Sequence, residues 1–247
     1  MNIRPLVAAV NIGVVFLLGA GIAAQAAEVR VLGGYSAKEF VEEIGPKFEH
    51  ATGHKLATQF IFASQIQKHI QGGESADVVI GPKNVFAKLQ VVSGSLTPLA
   101  TQALGMAVRE DLPKPDISSP DAVKRALLAA KSIRYTCAGI PLVHIQKMFE
   151  RWGIADEMKR KTSVCPHRSE PDIEIYVHVM SELNAKTGYK IIGTLPDDLQ
   201  QKPPVVTSAA IMAGAKDMVA AKALIDFLRT PEAVSVMKAK GYTPLAL

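Results

Sequence analysis

Residues 28–48, EVRVLGGYSAKEFVEEIGPKF, decide the reading of the fold. Val29-Arg30-Val31-Leu32 is a short apolar strand, Gly33-Gly34-Tyr35-Ser36 is a turn, and from Ala37 to Glu49 apolar residues return at helical spacing. A strand that hands over to a helix through Gly-Gly-x-Ser directs free backbone N–H groups and a hydroxyl toward one point. That arrangement suits a small anionic or polar ligand.

What precedes this unit is an export signal. Arg4 is the lone charge, Leu6 to Ala24 is apolar apart from Asn11, and Ala24-Gln25-Ala26 supplies a small-x-small cleavage site. The uncharged run is long enough to span a bilayer. The alanine-rich end, followed at once by a strand, favours cleavage after residue 26 over retention as an anchor. The expected location is the periplasm, for a soluble mature chain with no later segment apolar enough to cross a membrane. At the head of an exported protein the first unit points to a binder of solutes rather than a cytosolic enzyme.

The remaining 221 residues suit one large or two small domains. Losing Arg4 takes the formal net charge from +5 to +4. Basic residues are scattered, with Lys159-Arg160-Lys161 the one short run, and aromatics make up 6% of the chain. That excludes the coherent basic face with aromatic platforms that nucleic-acid binding needs. Cys137 and Cys165 leave two readings open, a bridge formed after export or two free buried thiols.

Strand and helix signals alternate along the chain, which argues α/β layering with largely parallel strands. Lys55–Phe62, Asp77–Gly81, Leu104–Val108, Ser132–Thr136, Thr162–Cys165, Asp172–Val179, Tyr189–Gly193 and Pro203–Met212 read as strands. Ser64–Gln71, Asn84–Val92, a segment opened by Ser119-Pro120 and running to Ala130, Pro141–Trp152, Ser181–Thr187, Met218–Arg229 and a last segment from Pro231 to about Gly241 read as helices.

Several stretches together resemble a family. The opening strand and turn, Phe48-Glu49 with Thr52-Gly53, Gly72-Gly73-Glu74-Ser75-Ala76-Asp77-Val78, Gly105-Met106-Ala107-Val108-Arg109 and Lys114-Pro115-Asp116-Ile117 are similar to periplasmic molybdate-binding proteins of ABC importers. So are residues 126–133, Gly153 to Met158, Gly193 with Leu195-Pro196 and Leu199-Gln200, and Ala223 to Ala233. The order is preserved over nearly the whole mature chain. The resemblance implies a type II periplasmic-binding fold of two α/β lobes, each a mixed sheet flanked by helices. It places lobe one at residues 27–104 plus 205–247 and lobe two at 105–204, with the ligand between them. It further implies a monomer that hands a small oxyanion, molybdate- or tungstate-like, to a membrane permease, with no cofactor and no catalysis.

Carried over residue by residue, the resemblance puts Ser36 on the first ligand serine, with Gly34 and Tyr35 beside it. The second serine falls on Ala63, with Ser64 adjacent; Gly139 and Ile140 supply N–H groups in lobe two, and His178 or Val179 stands where the family has tyrosine or glutamine. Helix capping is the competing role for Ser36 and Ser64, and a half-buried structural role competes for His178. The chain also departs from the family, because only Pro166 to Pro171 separate two strands that the family joins through a helix. An organic acid or another small solute is therefore the alternative ligand. An exported enzyme using Cys137, Cys165 or His167 is a lesser one. His50 and His54, four apart, read as exposed helix-end residues rather than metal ligands, and Asp172, Glu174 and Glu182 form no recognisable acid–base pair.

Overall fold

Alternation along the first strand organises the larger half of the molecule. The structure, a computed structural model, describes residues 26–136, 139–162 and 173–245. In chain order the first elements are β1 (Glu28–Gly34), α1 (Lys38–Thr52), β2 (Lys55–Ile61), α2 (Ala63–Gln71), β3 (Val78–Pro82), β4 (Thr97–Gln102) and β5 (Leu104–Arg109). There follow α3 (Pro120–Ala129), β6 (Ile133–Tyr135), α4 (Gly139–Arg151), α5 (Ala155–Lys161), β7 (Ile175–Val179), α6 (Met180–Asn184) and β8 (Tyr189–Thr194). The chain closes with β9 (Val206–Ile211), α7 (Met218–Phe227), α8 (Pro231–Ala239) and β10 (Tyr242–Pro244).

Val29 and Val31 of β1 face one way, into a core with Phe40, Ile44 and Phe48 of α1 and Leu224 of α7. Leu32 faces the other way, into a core with Ile66 of α2, Val79 and Phe86. The sheet therefore carries helices on both faces, as strands with two apolar sides require. Its order is β10-β4-β9-β3-β1-β2, and the second sheet runs β6-β7-β5-β8. Leu104, Met106 and Val108 of β5 pack that second sheet on Val123, Leu127, Ile145 and Phe149. The result is the two-lobe mixed α/β architecture.

Strand direction corrects one expectation. β1 is parallel to β2 and β3, and β6 to β7, but β3–β9, β4–β9, β4–β10, β5–β7 and β5–β8 are antiparallel. The cause is connectivity: the chain leaves the first sheet at the end of β4, crosses at Ala103, builds the second sheet, and comes back as β9 between β3 and β4. A returning strand has no crossover helix to force it parallel. Gln200 ties the two passages together. Its Oε1 accepts the Leu104 N–H at 2.8 Å and its Nε2 donates to the Leu104 carbonyl at 2.9 Å.

Helix starts follow local chemistry. Ser119 accepts the Ala122 N–H and Thr230 the Ala233 N–H, each just before a proline at the first helical position. Asn84–Val92 is not a helix; a 3-10 turn covers Lys83–Lys88, and Val91 bridges to Met212. Residues 1–25 of the export signal, Cys137, Cys165, His167, Asp172, the strand residues from 163 and the Pro166–Pro171 segment lie outside the described residues.

Candidate functional site

Two glycines shape the first strand-to-helix turn. A Cβ on Gly33 would lie 2.7 Å from the Phe60 ring, and one on Gly34 would lie 3.4 Å from Ala63 Cβ. Their bareness lets β1 lie against the Phe60 ring of β2 and its end close on the start of α2, so that Tyr35–Ser36 and Ala63–Ser64 become neighbours. Gly34 itself is buried behind this wall.

A cleft of about 580 Å³ opens there. Tyr35, Ser36, Ala63 and Ser64 line it from the first lobe, and Gly139, Ile140, His178 and Val179 line it from the second. Of the residues expected from sequence, Gly34 alone stands behind the lining. Ser36 sits in a 3-10 turn, Tyr35–Ala37, that runs into α1, and Ser64 is the second residue of α2. Neither hydroxyl caps its helix, because the cap positions fall on Gly34, Ala37 and Phe62 and receive no side-chain bond. The competing capping role is thus not the one these serines play. Helix α4 begins at Gly139, whose φ of +77° turns the chain into the helix, and Pro141 in the first turn also faces the cleft. The starts of α2 and α4 bring N–H groups and the positive ends of two helix dipoles to the same space.

Sequence reasoning missed several residues of the wall. Phe62 packs edge-on against Tyr35 with centroids 5.1 Å apart, and both rings are partly exposed. Gln102 donates from Nε2 to the Ser36 carbonyl at 2.9 Å and accepts the Ser181 hydroxyl on Oε1 at 2.5 Å. The Tyr242 hydroxyl donates to the same Ser36 carbonyl at 2.6 Å. Through this network the turn holding Ser36 is tied to α6 of the other lobe.

Glu182 is the main correction. It lies in the cleft wall with His178, whose Nε2 is 3.3 Å from Glu182 Oε2. Burial pushes the Glu182 carboxyl up to about 7, with Glu39 adding and Lys186 opposing. Burial also pushes His178 down to about 4, aided by Lys186 and Arg134, so its imidazole is neutral. His178 and Glu182 thus stand side by side in the cleft wall, a pairing that the acidic trio of the sequence reading did not include. The four-residue spacing was a usable signal, but it straddles the β7–α6 junction.

The histidine pair at the end of α1 is also corrected in part. His50 is exposed, whereas His54 is buried, accepts the Ala27 N–H on Nδ1 at 3.2 Å and stacks near Phe48. Among the described residues no group of three or more His, Cys, Asp or Glu is placed to hold a metal ion.

Comparison with known proteins bears on the fold and the family. An aconitate isomerase of Pseudomonas sp is 30% identical over 224 residues, covering 83% of each chain. The molybdate-binding protein ModA of Azotobacter vinelandii is 27% identical over 254 residues, covering 92% of this chain and 96% of its own. The solved Azotobacter vinelandii periplasmic molybdate-binding protein superposes with a TM-score of 0.69 at 16% identity, covering 89% of this chain and all of that one. Residues 29–243 match the bacterial extracellular solute-binding protein family, and the chain belongs to it.

Proposed function

We propose that this protein is the periplasmic receptor of an ABC importer and that it holds one small anion between its lobes. The lobes are residues 27–104 plus 205–247 and residues 105–204, and the first 26 residues are removed on export. The observation that carries this reading is the cleft to which both lobes bring hydroxyls and helix starts. Ser36 and Ser64, with N–H groups around Tyr35, Ala63 and Ile140, hydrogen-bond a desolvated anion without a counter-charge. A ligand touching both lobes favours the closed arrangement by the amount of its contacts to the second lobe.

Within the anion class we favour an organic carboxylate. Tyr35, Phe62, Ile140, Pro141, Val179 and Val205 give the cleft a largely apolar lining, and its volume of about 580 Å³ exceeds what one metal atom and four oxygens occupy. Carbon skeletons use such a lining, and hydrated inorganic oxyanions do not. The ModA relative supports the inorganic ligand. Isothermal titration with molybdate, tungstate, sulfate, citrate and trans-aconitate decides. Heat with a carboxylate and none with the three oxyanions supports the organic reading, and the reverse supports molybdate. No heat with any of the five, on folded protein, refutes the anion receptor.

A second reading is catalytic: an isomerase acting on an unsaturated carboxylate. The neutral imidazole beside a carboxyl that titrates near 7 favours it, together with the aconitate isomerase relative.

A further inference from the structure

We propose that Glu182 is the proton-transfer residue of the cleft, oriented by His178, and that it moves a carbon-bound proton across the three-carbon allylic unit of an unsaturated polycarboxylate. The proposal rests on the isomerase reading and deepens it, since that reading names neither the group that moves the proton nor the bond it breaks.

The geometry starts at the junction of β7 and α6. His178 is the penultimate residue of the strand and Glu182 the third residue of the helix. The Val179 N–H donates to His178 Nδ1 at 3.0 Å. That bond assigns the lone pair to Nδ1 and the ring hydrogen to Nε2, on the side that faces Glu182 Oε2 at 3.3 Å. The neutral imidazole stands against the carboxylate at 3.3 Å and limits its directions without neutralising it. This is how a base is positioned by a second group. The His178 side chain is 13% exposed and that of Glu182 is 40% exposed, so the imidazole is the buried support and the carboxylate is the working face.

Burial is the larger cause for both groups, and the charged side chains around the pair adjust it. Glu39 of α1 stands near Glu182 and raises its pKa, Lys186 beyond α6 lowers it, and Lys38 of α1 lines the same cleft. Burial first, then Lys186 and Arg134 of β6, keep His178 unprotonated. The Tyr242 hydroxyl near Ser181 is raised by burial and stays neutral. The balance leaves a carboxylate basic enough to take a proton near neutral pH and acidic enough to return it.

The chemistry balances with no added reagent. Substrate carboxylates sit on Ser36, Ser64 and the helix starts. The C–H bond of the methylene between a carboxylate and the double bond breaks, and a Glu182 O–H bond forms. The electron pair spreads over the allylic unit onto a carboxylate oxygen, where the same N–H and hydroxyl donors receive the charge. The Glu182 O–H bond then breaks, and the proton is delivered to the far carbon of the unit. The double bond has moved, and Glu182 is a carboxylate again.

The test uses the mature wild-type protein with E182Q, E182D and H178A, and trans-aconitate as probe. Proton NMR in D2O follows deuterium entry and isomer formation, titration calorimetry follows binding, and a thermal melt checks folding. The wild type should exchange and isomerise, with kcat rising as pH passes through about 7. E182Q keeps the shape of the side chain but cannot carry the proton. It should lose ~10²- to 10⁴-fold in kcat while Kd stays within about tenfold. H178A removes the imidazole packed beside the carboxyl and admits water, so the midpoint of its kcat profile should move to lower pH; an unchanged midpoint would remove His178 from the assignment. An E182Q variant that turns over at the wild-type rate overturns the role of Glu182 and leaves the isomerase reading standing. A wild type that binds but neither exchanges nor isomerises overturns both and leaves the receptor. Should E182Q fail to fold, E182D decides. A tenfold or greater loss in kcat with an unchanged melt supports the assignment, and a wild-type rate defeats it.

Discussion

The Ser36 carbonyl takes hydrogen bonds from two side chains that come from different places, and this makes a sharp double-mutant cycle. Gln102, the last residue of β4, donates at 2.9 Å, and Tyr242, the first residue of β10, donates at 2.6 Å. Gln102→Ala leaves the carbonyl with Tyr242, and the freed Ser181 hydroxyl can turn to the Tyr242 oxygen beside it. Tyr242→Phe leaves the carbonyl with Gln102. Each single change should therefore remove about 1 kcal/mol of net hydrogen bonding. The double variant strips a half-buried carbonyl of both donors, which adds about 1–3 kcal/mol beyond the sum. In a chain of this size ~1 kcal/mol moves Tm by about 2–4 °C, so the singles should drop by a few degrees and the pair by ~6–20 °C. Because the Ser36 hydroxyl hangs on the same residue, Gln102→Ala should also weaken anion binding by about fivefold, a loss of ~1 kcal/mol. Thermal melts and calorimetric titrations of the four proteins read both quantities. A double variant whose stability loss equals the sum of the singles within about 0.5 kcal/mol would refute the shared-acceptor account.

Other outcomes follow from the same structure. Ser36→Ala and Ser64→Ala should each weaken anion affinity by about tenfold to a hundredfold, the worth of a hydrogen bond to a charged group, with little change in the melt. Asp77 is 1% exposed and accepts four bonds, from the Arg30 N–H, Nε and guanidinium NH2 and from the Lys216 N–H. Asp77→Ala should destabilise the first lobe by about 3–5 kcal/mol in denaturant unfolding. Burial alone would raise the Asp77 carboxyl, but the Arg30 guanidinium and the N–H donors outweigh it and hold it below its ordinary value. Its stabilisation is thus present above the unfolded value of 3.8 and lost as pH falls through the lower folded value, a loss that Asp77→Asn should remove. Glu182 runs the other way: its folded value of about 7 lies above the unfolded 4.5, so its contribution is full below 4.5 and lost as pH rises through 7. His178, lowered from 6.5 to about 4, stabilises above 6.5 and loses that stabilisation as pH falls through 4. The two slopes oppose each other between pH 4.5 and 6.5, and Glu182→Gln should leave a Tm that climbs with pH across that window.

Much of the fold was legible because its elements are amphipathic and end on strong local signals. Val29 and Val31 against Leu32 mark a strand buried on two faces, and Ser119-Pro120 and Thr230-Pro231 mark helix starts by chemistry alone. β4 and β10 were not legible. Thr97-Pro98 and Tyr242-Thr243-Pro244 carry proline and little alternation, and they become strands only because β9 returns to pair with β4 and β10 then adds to its edge. Their pairing is long-range, which no local window contains. The site splits in the same way. Ser36, Ser64, Gly139 and Ile140 sit on strand-to-helix turns and could be found from the turns. Phe62 stands directly before Ala63 and Ser64 on the same turn and was passed over for lack of a polar group, whereas Gln102, at the end of a strand the sequence did not show, reaches the cleft only through the fold.

The central claim is that one cleft, floored by donors from both lobes, holds a small anion. A diffraction structure of the mature protein saturated with trans-aconitate, and with molybdate in a parallel crystal, tests it most directly. The account places ligand density between the start of α2 and the start of α4, within hydrogen-bond reach of Ser36 and Ser64 and of N–H groups at Ile140. Density at another surface, or a bound anion touching one lobe alone, would contradict it.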